Sequence, residues 1–569
     1  MVFDPHKPVI AQSDHTILLE VDNPSFKEAR DRLALFAELV KSPEHIHTYR
    51  VTPLSIWNAA AAGATREEIF GTLEEFSKYD VPSNLLVDIE DYLSRYGKLL
   101  LEKSGEDLVL RCSDSNLADQ LRLNKKISPF LLQEKRKNTF RIDPSNRGEL
   151  KQRLVKIGFP VKDIAGYVDG DTFRFEMRET TLEGRPFGLR YYQEQSAAAF
   201  HQGGRAEGGS GVIVLPCGAG KTVVGITAMD LLQTKTLILA TNVVALRQWR
   251  DEILDKTTVS EDDIAEYSGE SKKFAPITIA TYQIITYRKD KEGPFPHFGL
   301  FNAQNWGLII YDEVHLLPAP VFRVTAEIQS RRRLGLTATL VREDGLEEDV
   351  FSLIGPKRYD VPWKELEQKG WIATAQCHEL RIPLHPKVRL DYAASENRTK
   401  FRIASENPNK MKVIEDLLEK HQEDRVLIIG QYLEQVREIS QKLKSPLITG
   451  QTPNARRVEL FEAFRTGEIK FLVVSKVANF AIDLPDANVA IQVSGTFGSR
   501  QEEAQRLGRI LRPKASGKRA EFYTVVTRDT VEQEFATKRQ LFLTEQGYSY
   551  EISDCRDLFP DFVPPAYSS

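Results

Sequence analysis

GVIVLPCGAGKTVVGITAMDLL, Gly211 to Leu232, decides how the chain folds. An apolar run ends at a proline, a glycine-rich turn closes on Lys221 and Thr222, and an apolar stretch of helical length follows. Strand, loop and helix in that order let backbone N–H groups and a helix N-terminus cradle a phosphate. The pattern G-x-x-x-x-G-K-[ST] is met at Gly220, Lys221 and Thr222, but Leu215 stands where its first glycine belongs. The part nearest the anion, Gly218, Ala219 and Gly220, still allows close backbone approach. Lys221 is spaced to reach the β and γ phosphates of ATP, and the Thr222 hydroxyl to take a place on Mg²⁺.

Outward from this loop, TLILAT, ITIATYQ, GLIIYDE and RLGLTAT repeat the short apolar run, with helical patterns between several of them. Such alternation predicts a parallel sheet covered by helices. It returns beyond about Asp416 in RVLIIG, PLITG, FLVVSK and ANVAIQVS. The expected fold class is therefore α/β, with two parallel-sheet lobes and a cleft.

In LIIYDEVH an apolar strand runs into Asp312 and Glu313. Carboxylates at the carboxyl end of a parallel strand suit a metal and a water, Asp312 orienting Mg²⁺ and Glu313 aligning or deprotonating the attacking water. Thr337, Ala338 and Thr339 are small enough for a hydrogen-bonded coupler, and Arg342, Glu343 and Asp344 follow as three charges in a row. In GSRQEEAQRLGRILRPK, Gln505, Arg509 and Arg512 share one helical face. Arginines there can stabilise charge on a transferred phosphoryl group, and Gly508 within the helix argues for close approach.

The N-terminal third reads differently. Phe26, Ala29, Leu33, Phe36 and Val40 predict a helix from Pro24, Thr65 to Glu68 form a capping box, a third helix covers Pro82 to Tyr96, and GKLLLEKSGEDLVLRC reads as a hairpin. These elements are winged-helix-like, and such a module either binds DNA or spaces proteins apart. Residues 113–185 predict a helix over Arg147 to Ile157 and a strand at TFRFEMR. They also hold KKISPFLLQEKRKNTFR, whose six basic residues either track a phosphate backbone or form a solvated face.

A net charge of −4 rules out a general positive field, so nucleic acid would be held by local tracks. Cys112, Cys217, Cys377 and Cys555 form no C-x-x-C pair, which argues against a disulfide framework or a zinc cluster. With no long apolar run and no leader-like start, a soluble cytoplasmic protein with no membrane partner is expected.

Taken in order over about residues 186–530, these stretches resemble the helicase superfamily 2 motifs, and within them the XPB-type DNA repair helicases. YQEQ, with Gln193, resembles the adenine-reading Q motif, and LP-x-G-AGKT is that family's own form of the phosphate loop. REDG after TAT resembles its RED motif, and SKVANFAIDLPDANVAIQVSGTFGSRQEEAQRLGRILRPK its second lobe. The resemblance implies two RecA-like lobes, at 186–375 and 416–569. It also implies a thumb-like basic insertion at 376–415, an accessory domain at 1–112 and a damage-recognition-like domain at 113–185. It implies an ATP-driven motor moving 3′ to 5′ on single-stranded and forked DNA in nucleotide excision repair, with a repair nuclease or other repair proteins as partners. Carried over from the family motifs, Thr241, Arg247, Thr281, Gly450, Thr452 and Ser475 touch DNA, Asp483 faces nucleotide, and Arg342, Glu343 and Asp344 separate strands. Ala481 departs from the usual glycine. A double-strand translocase that does not unwind, an ATP-gated DNA-binding scaffold and an RNA helicase stand as alternatives.

Overall fold

The computed structural model describes residues 3–41, 45–215, 219–289, 295–329, 331–337, 347–360, 366, 375–475, 487, 489–495, 520–545 and 549–555. The chain forms two compact units. One comprises Met1–Glu38, Thr48–Pro216 and Gly220–Pro362, the other Leu39–His47, Cys217–Ala219 and Trp363–Ser569.

The first lobe is one seven-stranded sheet of β1 (Ser210–Val214), β2 (Thr236–Ala240), β3 (Ile264–Tyr267), β4 (Ile277–Thr281), β5 (Leu308–Asp312), β6 (Arg332–Thr337) and β7 (Lys357–Asp360), in the order β3-β4-β2-β5-β6-β1-β7. Every pairing is parallel. β2 and β4 are buried at every position, as expected where helices cover both faces of a sheet. The second lobe repeats the design with β8 (Ala375–Ile382), β9 (Val426–Gly430), β10 (Leu447–Ile448), β11 (Phe471–Ser475), β12 (Val489–Gln492), β13 (Ala520–Thr527) and β14 (Ser549–Asp554), in the order β10-β11-β9-β12-β13-β8-β14. The α/β class and the two parallel-sheet lobes are as the sequence led one to expect.

Four expectations shift. The helix from Pro24 is only Phe26–Leu33, and Val40 lies instead in a strand, Glu38–Lys41. The hairpin Leu99–Ser104 and Asp107–Cys112 forms, but in a five-stranded sheet with Gln133–Arg136, Thr139–Ile142 and Val161–Asp163, so the sheet runs across residue 112. TFRFEMR makes isolated bridges at Thr172 and Met177, because its backbone bonds go to the ends of neighbouring elements, such as Phe173 N–H to the Gln233 carbonyl and Arg178 N–H to that of Lys256. Finally, β8 begins the stretch read as a thumb yet is an inner strand of the second sheet; helices Arg389–Ala394 and Asn397–Ser405 follow it. The capping box at Thr65 forms, with Glu68 N–H donating to the Thr65 hydroxyl at 3.2 Å and Thr65 N–H to the Glu68 carboxylate at 2.8 Å.

The N-terminal elements dock on the first lobe. Lys357 N–H at the start of β7 donates to the Asn58 amide oxygen at 2.9 Å, and Trp57 packs with Val155 and Phe351. Helix Arg147–Lys156 crosses Ala319–Glu327 so closely that a Cβ on Gly148 would lie 2.4 Å from the Ala326 carbonyl oxygen.

Candidate active site

The phosphate loop follows β1, and α2 (Lys221–Leu232) begins at Lys221, after α1 (Tyr191–His201) has already set Gln193 beside the loop. Leu215, the departure from the consensus, is fully buried, and its N–H donates to the Thr337 carbonyl at 2.9 Å. An apolar residue there extends the strand pairing with β6 and anchors the loop in the core. Gly220 caps α2 at φ +84, a conformation that favours glycine. A Cβ there would lie 2.6 Å from Gln193 Nε2, so any side chain would close the gap between the loop and the glutamine. Gln193 is oriented from its other end, its Oε1 accepting Arg190 N–H at 2.9 Å.

At the end of β5, Lys221 Nζ pairs with Glu313 Oε1 at 2.9 Å. Glu313 has φ +50 and ψ +57, the left-handed region that non-glycine residues seldom occupy. Backbone held there is a common feature of functional sites. His315, buried, ties this turn to β6, its Nδ1 lying 2.5 Å from Thr337 Oγ1 and 3.5 Å from Glu313 Oε2. Asp312 is fixed twice, its carboxylate accepting the Trp249 indole N–H at 3.0 Å and its carbonyl the Tyr282 hydroxyl at 2.9 Å. Burial first, and then the neighbouring Glu313 charge, push the Asp312 carboxyl up to about 6.

Trp249 was not legible as a site residue. It lies on α3 (Val243–Lys256), and its ring reaches Asp312 across Gly225, where a Cβ would sit 2.4 Å from the indole. The available signal was Gly225 itself, a glycine inside a helix that needs a packing reason.

The structure gathers Gln193, Gly220, Lys221, Asp312 and Glu313 at the carboxyl ends of the first sheet's strands and the adjoining helix starts. The hard oxygens of Thr222 and Asp312 suit Mg²⁺, and the lysine, the helix N-terminus and the glycine cradle suit a triphosphate. Thr241, Thr281 and Thr337 occupy the same strand ends. Arg247 is exposed and pairs with Glu270 at 2.9 Å. Thr281 and Ser475 are buried, and the Thr281 hydroxyl caps Tyr282–Ile285. In the second lobe, Arg457 Nη2 holds the carbonyls of Thr449 and Gly450 at 3.0 and 2.8 Å, and Thr452 Oγ1 accepts Thr449 N–H. Gly218, Ala338, Thr339, Arg342, Glu343, Asp344, Ala481, Asp483, Gln505, Gly508, Arg509 and Arg512 lie outside the described residues. Among the described residues no three metal-ligating side chains cluster, and no helix is long and apolar enough to cross a membrane.

The ERCC3/RAD25/XPB C-terminal helicase model matches residues 366–558, the model of the type III restriction enzyme res subunit matches 186–342, and one described as a helicase conserved C-terminal domain matches 9–136. Over 552 residues the chain is 53% identical to the DNA 3'-5' helicase XPB of Kineococcus radiotolerans, covering 97% of each. Identity is also 53% to the protein of the same name from Mycobacterium tuberculosis, with 97% of this chain and 98% of the relative covered. The general transcription and DNA repair factor IIH helicase/translocase subunit XPB of Enterocytozoon bieneusi is 34% identical, over 96% of this chain and 92% of its own. With relatives of such identity along its whole length, the chain belongs to the XPB helicase family.

Proposed function

We infer that the chain is a DNA-dependent ATPase and 3′ to 5′ DNA helicase that works in DNA repair, with nucleotide excision repair as its pathway. The observation that carries this is Lys221 paired with Glu313 beside Asp312 at the strand ends of a RecA-like lobe, in a chain related along its length to proteins named as DNA helicases.

Gln193 and Gly218 to Thr222 bind ATP, with Lys221 on the β and γ phosphates. Glu313 takes the proton of the attacking water, and Asp312 and Thr222 hold Mg²⁺. When bound, Mg²⁺ neutralises charge on the phosphates. Asp483 faces the nucleotide, and Gln505, Arg509 and Arg512 stabilise charge on the transferred phosphoryl group. Thr241, Arg247, Thr281, Gly450, Thr452 and Ser475 grip the DNA backbone, a contact that carries no sequence information. Arg342, Glu343 and Asp344 act where strands part. A repair nuclease and other repair proteins are the proposed partners.

The test is ATP turnover against single-stranded, forked and duplex DNA and matched RNA, with unwinding read on the same forks. Stimulation by DNA together with fork opening is expected. Stimulation by duplex without opening would establish a translocase, and stimulation by RNA alone would overturn the reading.

A further inference from the structure

Two exposed tripeptides in the first lobe repeat one composition: Lys272-Lys273-Phe274 and Tyr287-Arg288-Lys289 each set one ring beside two cations. The rings Phe274 and Tyr287 are 49% and 53% exposed, unusual for large aromatic side chains. Between them runs a chain of rings. Phe274 lies 5.4 Å from Tyr267, Tyr267 lies 5.7 Å from His297, and His297 lies 6.3 Å from Tyr287, all between centroids. The Tyr267 hydroxyl and His297 Nδ1 are 2.9 Å apart, which fixes the middle of the strip. Burial and then Lys272 hold His297 below its ordinary value.

Asp290 and Glu292 lie outside the described residues, and two described carboxylates near the strip already have partners. Glu266 accepts the Ser268 hydroxyl at 2.6 Å, and Glu270 pairs with Arg247. The turn carrying Glu270 is closed by the bridge between Tyr267 and Lys272, and Tyr287 follows the short helix that Thr281 caps. The strip therefore adjoins two residues already proposed to meet DNA.

We propose that this strip is a further contact for an unpaired DNA strand, with bases stacking on Phe274 and Tyr287 while Lys272, Lys273, Arg288 and Lys289 take the phosphates. The proposal rests on the DNA-motor reading above. An unpaired strand is favoured over a duplex because only unpaired bases offer free faces to an exposed ring, and a positive track with aromatic platforms is how such strands are held without sequence preference.

The full chain is titrated with a fluorescent 20-nucleotide thymidine strand and with an abasic strand of equal length. Phe274→Ala with Tyr287→Ala should weaken thymidine-strand binding on the order of 10-fold, leave the abasic strand and the unfolding midpoint unchanged, and be partly rescued by keeping a ring as Tyr287→Phe. Lys272→Ala with Lys273→Ala should reduce the slope of log affinity against log salt by about 1.4. Equal thymidine-strand affinity, or an equal loss on the abasic strand, overturns the stacking proposal. DNA-stimulated ATP turnover of the unaltered chain tests the motor separately, so a failed strip is distinguishable from a failed motor.

Discussion

Lys221 Nζ and Glu313 Oε1 lie 2.9 Å apart, with side chains only 13% and 10% exposed. The cation proposed for the triphosphate and the carboxylate proposed for the water thus hold each other. On the proposed reading, phosphate oxygens would compete for Lys221, and a lysine that moved to them would free Glu313 as a base, coupling occupation of the site to readiness for hydrolysis. Glu313→Gln should bind ATP at least as tightly as the unaltered chain while turnover falls about 10²- to 10⁴-fold, the usual worth of a general base. Lys221→Ala should lose both. Calorimetric titration of a non-hydrolysable nucleotide beside steady-state turnover reads the two effects, and normal turnover in either variant would remove both residues from the site.

Trp249 holds Asp312 through its indole N–H at 3.0 Å, in a slot that exists because Gly225 has no side chain. Trp249→Phe keeps the ring and loses the donor. Its half-saturating Mg²⁺ for ATP turnover should rise several-fold, while the unfolding midpoint changes little. Gly225→Ala instead meets the ring and should cost about 1–3 kcal/mol of stability, read by denaturant unfolding. If Trp249→Phe titrates with Mg²⁺ as the unaltered chain does, the indole is packing alone.

This division marks what a sequence carries. Phosphate loops and acidic strand ends are local, so Lys221, Asp312 and Glu313 could be read from neighbours along the chain. Leu215 also became intelligible, because a buried residue bonded to the Thr337 carbonyl has no need to be glycine. Trp249 and His315 act across the sheet, through contacts of 63 and 22 residues' separation that no periodicity encodes. The hairpin at 99–112 was legible as a hairpin, but its partners at 139–142 and 161–163 were not, since pairing depends on which edges meet in space.

In the second lobe, Lys410 is buried with Nζ donating to the carbonyls of Val493 and Val525 and to Glu532 Oε1 at 2.6, 2.8 and 2.7 Å. This clamp joins Lys410–Lys420 to the segment after β12 and to β13. Lys410→Met leaves Glu532 buried without its cation and should cost about 3–5 kcal/mol. Adding Glu532→Gln should recover part of that, because the uncompensated charge is gone while Thr527 N–H keeps an acceptor. Urea unfolding of the three chains checks it, and a double variant no more stable than the single one would contradict the clamp.

Where helix Arg147–Lys156 meets the first lobe, Asp163 is shared by Arg147 at 2.7 Å and Lys151 at 3.0 Å, with Arg333 fully buried nearby. Burial, reinforced by Arg333 and Arg147 against the pull of Asp163, brings Lys151 from 10.5 down to about 7. A cavity of about 40 Å³ lined by Lys151, Asp163, Ser210 and Arg358 gives the neutral amine room for water. Between these two values the unfolded chain keeps a proton that the folded chain has released, so stability rises with pH across that window. The slope is at most roughly 1.4 kcal/mol per pH unit. The contribution is complete above the unfolded value and lost as pH falls through about 7. Lys151→Met cannot titrate there. The stability of the unaltered chain minus that of Lys151→Met should therefore grow between about pH 6.5 and about pH 9.5, measured by denaturant unfolding at matched ionic strength. A difference that stays flat across that window would mean that Lys151 keeps its proton in the folded protein, as a fully compensated partner of Asp163.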